Sequence, residues 1–162
     1  MSVETCLMQF QFTSYVIKAN VGDVTHEDSL IAPKPAGNCL NWVLGHLVAI
    51  RSNFLRGLGG KPVWNEADCK LYDRHGPPLT DPGKAKSLDE IWRGLDETLQ
   101  SLQEYLSKVT ADQLAAKAPF SPTNNPDETL GSLIATLAFH DAYHAGQTGI
   151  LRRVIGKPPA DL

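Results

Sequence analysis

Apolar residues recur at helical spacing along four long stretches of this 162-residue chain, and nowhere over a useful length do they alternate with polar ones as in a half-buried strand. An all-α fold is the expectation. Leu7, Phe10, Ser14, Ile17 and Val21 form the first stripe, widened by Tyr15 and Val16, which predicts a helix over about Val3 to Val21, broken by Gly22 and Asp23. After Pro33, Pro35 and Gly37, Asn38 is the predicted N-cap of a second helix, which runs through CLNWVLGHLVAIRSNFLRGL until Gly57, Gly59 and Gly60 stop it. Ser87-Leu88-Asp89-Glu90 has capping-box spacing and opens a third helix, whose stripe Ile91, Leu95, Leu99, Leu102, Leu106 and Val109 lasts to Thr110. The fourth is predicted from about Thr129 to Ile155, closed by Gly156 and Pro158, with Arg152 and Arg153 in the last turn, where positive charge suits the helix dipole.

Two smaller signals repeat. Thr25-x-x-Asp28 and Thr110-x-x-Gln113 both resemble capping boxes, each followed by a Leu, a Pro-containing loop and a His-bearing helix, a hint of two similar halves. The connection from Gly59 to Lys86 is too long for a hairpin between antiparallel neighbours and predicts a crossover along the bundle that covers one end. Because it carries Trp64, Tyr72 and His75, it reads either as a solvated connection pinned by its aromatics or as a lid over a site.

A chain of this length is expected to form one domain, residues 1–162, burying roughly 68–70% of its unfolded surface. Its 15 Lys and Arg against 18 Asp and Glu give a net charge of −3, with no basic run longer than Arg152-Arg153, which argues against nucleic-acid binding. Cys6, Cys39 and Cys69 are odd in number, far apart and without a C-x-x-C pair, so a reducing compartment is expected. The N-terminus lacks a secretory pattern and no segment approaches the ~20 apolar residues of a membrane span, which makes the cytoplasm the expected location.

The chemistry is concentrated in AFHDAYHAGQTGILRR. His140 and His144 lie one helical turn apart, on the stripe that also holds Leu133, Leu137 and Leu151. Two neighbouring imidazoles directed into a core need partners; one shared cation satisfies both, and separate bonds to carbonyls or carboxylates are the alternative. No His, Cys or Glu follows His144, so a third ligand must come from upstream. His46 is the candidate, inside an otherwise apolar helix and toward the margin of its buried face; an interfacial His bonded to water is the plainer reading. His26 and His75, in polar or Pro-rich segments, are weaker. Three imidazoles on two helices leave a coordination position open for water, thiol or substrate, and nitrogen ligation suits Zn, Ni, Fe or Cu.

His140-Asp141-Ala142-Tyr143-His144 approaches the H-E-x-x-H of zinc peptidases, but the carboxylate is one methylene shorter and the downstream ligand is missing. Asp141 is expected to be an ordinary solvated or helix-pairing residue, with orientation of a ligand or proton transfer as its functional alternative. Gln147 is preferred as a hydrogen-bond partner behind the ligands, against simple helix-helix bonding. Cys39 reads as a small buried filler; Gly57-Leu58-Gly59-Gly60-Lys61 follows a helix and is a helix stop, not a phosphate loop.

His46 inside NWVLGHL, the downstream HDAYHAGQTG and the four helices with a long middle crossover together resemble the DinB/YfiT-like superfamily of metalloenzymes over nearly the whole chain. The resemblance implies a four-helix bundle of up-down-down-up topology, often a homodimer, whose histidine triad matches His46, His140 and His144. It implies Zn or Ni as the metal and, in some members, transferases or isomerases that use a low-molecular-weight thiol. The leading expectation is therefore a metal-dependent transferase that activates a thiol or water, with a metal-dependent hydrolase as runner-up. A non-catalytic metal or small-ligand binding bundle and a plain helical interaction module are the competing readings.

Overall fold

The computed structural model describes residues 2–74, 76, 79 and 81–162. Four long helices dominate: α1 (Val3–Val21), α3 (Leu40–Gly57), α5 (Leu88–Leu106) and α7 (Leu130–Val154). Three short ones, α2 (His26–Ser29), α4 (Glu66–Leu71) and α6 (Ala111–Ala115), punctuate the connections, and a 3-10 turn spans Pro82–Lys84. No strand occurs among the described residues; one isolated bridge joins Lys117 and Thr129.

Local chemistry sets the helix ends. Ser87 accepts from the Glu90 amide while Glu90 reaches back to the Ser87 amide, closing the capping box at the start of α5. Thr110 and Thr129 close capping boxes in the same manner with Gln113 and Ser132, and Thr25 caps α2 by accepting from the Asp28 amide. Gly156, at φ +82°, takes the left-handed conformation that ends the final helix. The start of α3 departs from expectation: Cys39, not Asn38, occupies the N-cap, and its side chain makes no capping bond. Cys39 is buried and Asn38 exposed, so burial of the small thiol outweighs the missing cap.

The Gly59–Lys86 connection is more ordered than periodicity suggested. α4 forms inside it because Asn65 caps the Asp68 amide, a six-residue helix too short to leave an apolar stripe. Trp64 and Tyr72 are buried against the core, and the Tyr72 hydroxyl accepts from the Lys86 amide at 2.9 Å while donating to Asn41 Oδ1 at 3.1 Å. His75 lies outside the described residues.

α1 packs on α7 and α5, and α3 packs on α5 and α7, so each long helix has two long neighbours around a shared interior. The interior holds two apolar clusters. One gathers Ile17, Val21, Leu44, Leu47, Tyr72 and Ile91; the other gathers Phe10, Leu55, Leu102, Leu106, Leu133 and Leu137. Between them, in chain order along every long helix, lies a polar layer: Thr13 on α1, Arg51 and Ser52 on α3, Thr98 on α5, Asp141 and His144 on α7, all buried. Polar side chains at mid-bundle cost free energy unless every one is bonded. That layer positions the candidate site. Among the described residues, no helix is long and apolar enough to cross a membrane.

Candidate metal centre

His46 stands in the middle of α3, and the helix turns it inward: it is 2% exposed, not marginal. Its ring stacks on Trp42 one turn back, with centroids 4.7 Å apart and planes 10° from parallel. The Nδ1–H donates to the Tyr72 carbonyl oxygen at 2.7 Å, which leaves the Nε2 lone pair available to a metal. On α7, His144 is 7% exposed, and its Nδ1–H donates to Gln147 Oε1 at 2.7 Å, again leaving Nε2. Gln147 is itself steadied by donating to the Tyr143 hydroxyl at 3.4 Å. His140 sits at the edge of the buried stripe, partly exposed.

The three rings meet. One ligand atom from each of His46, His140 and His144 lies within 4.8 Å of the others. Nε2 of His46 and Nε2 of His140 are 3.2 Å apart. Nitrogens on one tetrahedral ion, with Zn–N bonds of ~2.0–2.1 Å, stand roughly 3.3–3.4 Å apart. A single proton on His140 serves this arrangement poorly. A proton on His140 Nε2 would bond His46 but would turn the Nδ1 lone pair toward Asp141 Oδ1, 3.5 Å away, and both of those atoms are buried without a hydrogen-bond partner. A proton on Nδ1 instead sets two Nε2 lone pairs against each other. A cation between the Nε2 atoms removes both conflicts, so the donor set fits a divalent metal held by neutral imidazoles.

Burial favours those neutral rings. Desolvation, with His140 beside it, pushes His144 from its ordinary 6.5 down to about 4. Desolvation also lowers His46, although its bond to Tyr72 opposes the shift. Between pH 4 and 6.5 the unfolded chain therefore binds more protons than the fold, and folding stability rises with pH through that interval. Thermal melts of metal-free protein are expected to show stability falling as pH drops from 6.5 toward 4, and a flat profile there would contradict the buried neutral rings.

Gly45 exists for this site. A Cβ there would lie 2.3 Å from Tyr72 Cε1, so the missing side chain lets Tyr72 pack on α3 and bring its carbonyl to His46. Gly45→Ala gains ~1 kcal/mol of helix propensity. Overpacking a fully buried ring costs ~1–3 kcal/mol, so a net loss of stability is expected. Metal affinity should fall about tenfold or more as the carbonyl shifts, readable in a melt and a zinc titration on the same sample.

Several residues behave differently from their sequence reading. Asp141 is neither solvated nor peripheral: it is 0% exposed at the centre of the buried face of α7, and Oδ2 accepts from Arg51 Nε at 2.8 Å. The buried stripe includes 134, 137, 138, 141, 144, 145 and 148, which rotates the buried face slightly past His140 onto Asp141. Arg51, also 0% exposed, was not a sequence candidate; its signal was a charge midway along a largely apolar helix, five residues after His46. The Tyr72 carbonyl leaves no side-chain signal. His26 opens α2 and is not part of the cluster.

A cavity of about 710 Å³ opens directly over the triad, within the range of small-molecule sites. Trp42, Phe139, Tyr143 and Ile150 make its walls largely apolar, with Asn38 and Arg74 as polar contributors.

The crystal structure of a conserved protein from Enterococcus faecalis has the same fold at 15% sequence identity, with a TM-score of 0.75 over 96% of this chain and 98% of that one. No functionally curated protein matches the chain in sequence. The sequence model of one family matches residues 9–148, a span that holds all three histidines of the cluster, the whole of α3 and most of α7, and the chain belongs to the DinB superfamily.

Proposed function

We propose that the protein is a metal-dependent enzyme in which His46, His140 and His144 hold one divalent transition metal, with Zn or Ni as the ion, and that its reaction is transfer to or from a thiol. The observation that carries this reading is the convergence of three imidazoles, two with Nδ1 already committed to oxygen acceptors, at the floor of an open cavity. Bound there, such an ion lowers the pKa of a thiol or water and makes it nucleophilic near neutral pH. The protein residues do the rest. Tyr72 and Gln147 fix ring tautomers, Trp42 fixes the plane of His46, and the apolar walls offer contact surface to a substrate as it enters.

The test is metal analysis of protein purified without added metal, followed by conjugation of a low-molecular-weight thiol to a set of electrophiles with loaded and stripped protein. Thiol consumption that requires the metal supports the transferase. Metal-dependent ester or amide hydrolysis without thiol use points to the hydrolase, and tight metal binding without turnover leaves a binding protein.

We read residues 1–162 as one domain with up-down-down-up topology. Support comes from the clusters: the N-terminal halves of α1 and α7 share a core with the C-terminal halves of α3 and α5. Parallel neighbours α3 and α5 then require the chain to return a full helix length, which accounts for the long 59–86 connection. A cytoplasmic location fits the three buried, unpaired thiols. A homodimer is part of the same proposal. Phe139, Tyr143, Ile150 and Val154 form an exposed stripe on α7, beside exposed Met8, Phe12 and Tyr15 on the adjacent α1. Sedimentation equilibrium is expected to return twice the chain mass, and Phe12→Asp with Tyr143→Asp to return the monomer; a monomeric wild type removes this element.

A further inference from the structure

Of the three histidines, His140 alone lacks a conventional hydrogen-bond partner for Nδ1. The atom nearest to serving is Asp141 Oδ1, at 3.5 Å, equally buried and equally unpartnered. Side chains of consecutive helical residues point about 100° apart and seldom meet, so the approach needs something to draw Asp141 into place.

Arg51 supplies it. A guanidinium can grip both oxygens of a carboxylate in a parallel fork. Arg51 does not. It gives only Nε to Asp141 Oδ2, at 2.8 Å, and spends Nη1 on the Leu95 carbonyl at 3.3 Å and Nη2 on the Ser14 hydroxyl at 3.5 Å. One side chain from α3 thereby ties α1, α5 and α7 together, and the second oxygen of Asp141 stays free on the side facing His140. Both side chains are 0% exposed, so water does not compete for that oxygen.

We propose that Asp141, clamped by Arg51, is a positioning residue for the metal centre: its Oδ1 accepts the Nδ1 proton of His140 and so directs Nε2 at the ion. The inference rests on the metal-binding reading above and deepens it. With it, each ligand ring has its own anchor: a main-chain carbonyl for His46, an amide for His144 and a carboxylate for His140. Only the carboxylate is charged. It offsets the Arg51 charge, which would otherwise oppose a cation nearby.

The experiment titrates zinc against a chromophoric chelator in wild type, in Asp141→Asn and in the paired variant Arg51→Met with Asp141→Leu. The paired change removes both buried charges at once and keeps the core filled, so it folds even if Asp141→Asn does not. Loss of a partner behind a metal ligand typically weakens affinity by about 10–100-fold, and that loss is expected in both variants. Long-range proton–nitrogen NMR of the zinc-loaded wild type should show His140 bound through Nε2, with a slowly exchanging Nδ1 proton that disappears as a distinct signal in the paired variant. A well-folded paired variant with wild-type zinc affinity, or His140 bound through Nδ1, overturns the proposal and leaves the metal site standing. A wild type that takes up no zinc overturns the metal reading itself.

Discussion

Alanine at His144 is expected to weaken metal binding by more than the ~10–100-fold that removal of a supporting partner costs, because a ligand is lost and not merely loosened. Folding should be nearly unaffected. The side chain lines an open cavity that water can refill, and Gln147, deprived of its partner, is only partly buried and can turn to solvent. His46→Ala should lose metal as completely but stability as well, since that ring is sealed between Trp42 and the Tyr72 carbonyl and its removal orphans a buried acceptor. Gln147→Ala is the graded control, with a loss inside the 10–100-fold range. Metal content by elemental analysis, paired with a thermal melt of each variant, reads both quantities. Retention of one tightly bound ion per chain by His144→Ala would mean that the cluster is not the binding site.

The largest stability effect should come from Arg51→Met. It leaves the Asp141 carboxylate charged, fully buried and without its ion-pair partner, and it frees the Leu95 carbonyl from a cross-helix bond. Breaking a buried pair from one side costs ~3–5 kcal/mol. For a chain of this size that is roughly 6–20 °C in melting temperature. Adding Asp141→Leu should recover most of the loss, because well-packed apolar pairs of similar volume replace buried ion pairs at little cost and sometimes with a gain. The combination separates two roles of one interaction. Recovery of stability is a statement about the polar layer between the two apolar clusters; recovery of metal affinity would be a statement about His140. An Arg51→Met protein as stable as wild type would show that the pair is not desolvated in solution.

How far the chain's own periodicity reached, and where it failed, has a common cause. The long helices were legible because an amphipathic stripe and its caps are local: Ser87 with Glu90, Thr129 with Ser132 and Gly156 each act within one turn. The i, i+4 pair His140 and His144 was legible for the same reason, as was His46 as a polar residue inside an apolar helix. The six-residue α4 was not, since it is too short to complete a stripe. Cys39 displaced Asn38 at the cap because which of two adjacent residues is buried depends on how α3 meets its neighbours.

Tertiary packing alone decided the rest. A shift of tens of degrees in the buried face of α7 separates a solvated Asp141 from one at the centre of the bundle, and a pattern averaged over several turns does not resolve that angle. The partnership of Arg51 with Asp141 spans 90 residues, and that of His46 with Tyr72 uses a main-chain oxygen that every residue type carries. The candidate ligands are thus legible in side-chain chemistry and local spacing, which a chain displays in one dimension. The groups that hold the ligands come from the register of helix against helix, which exists only once the bundle has closed.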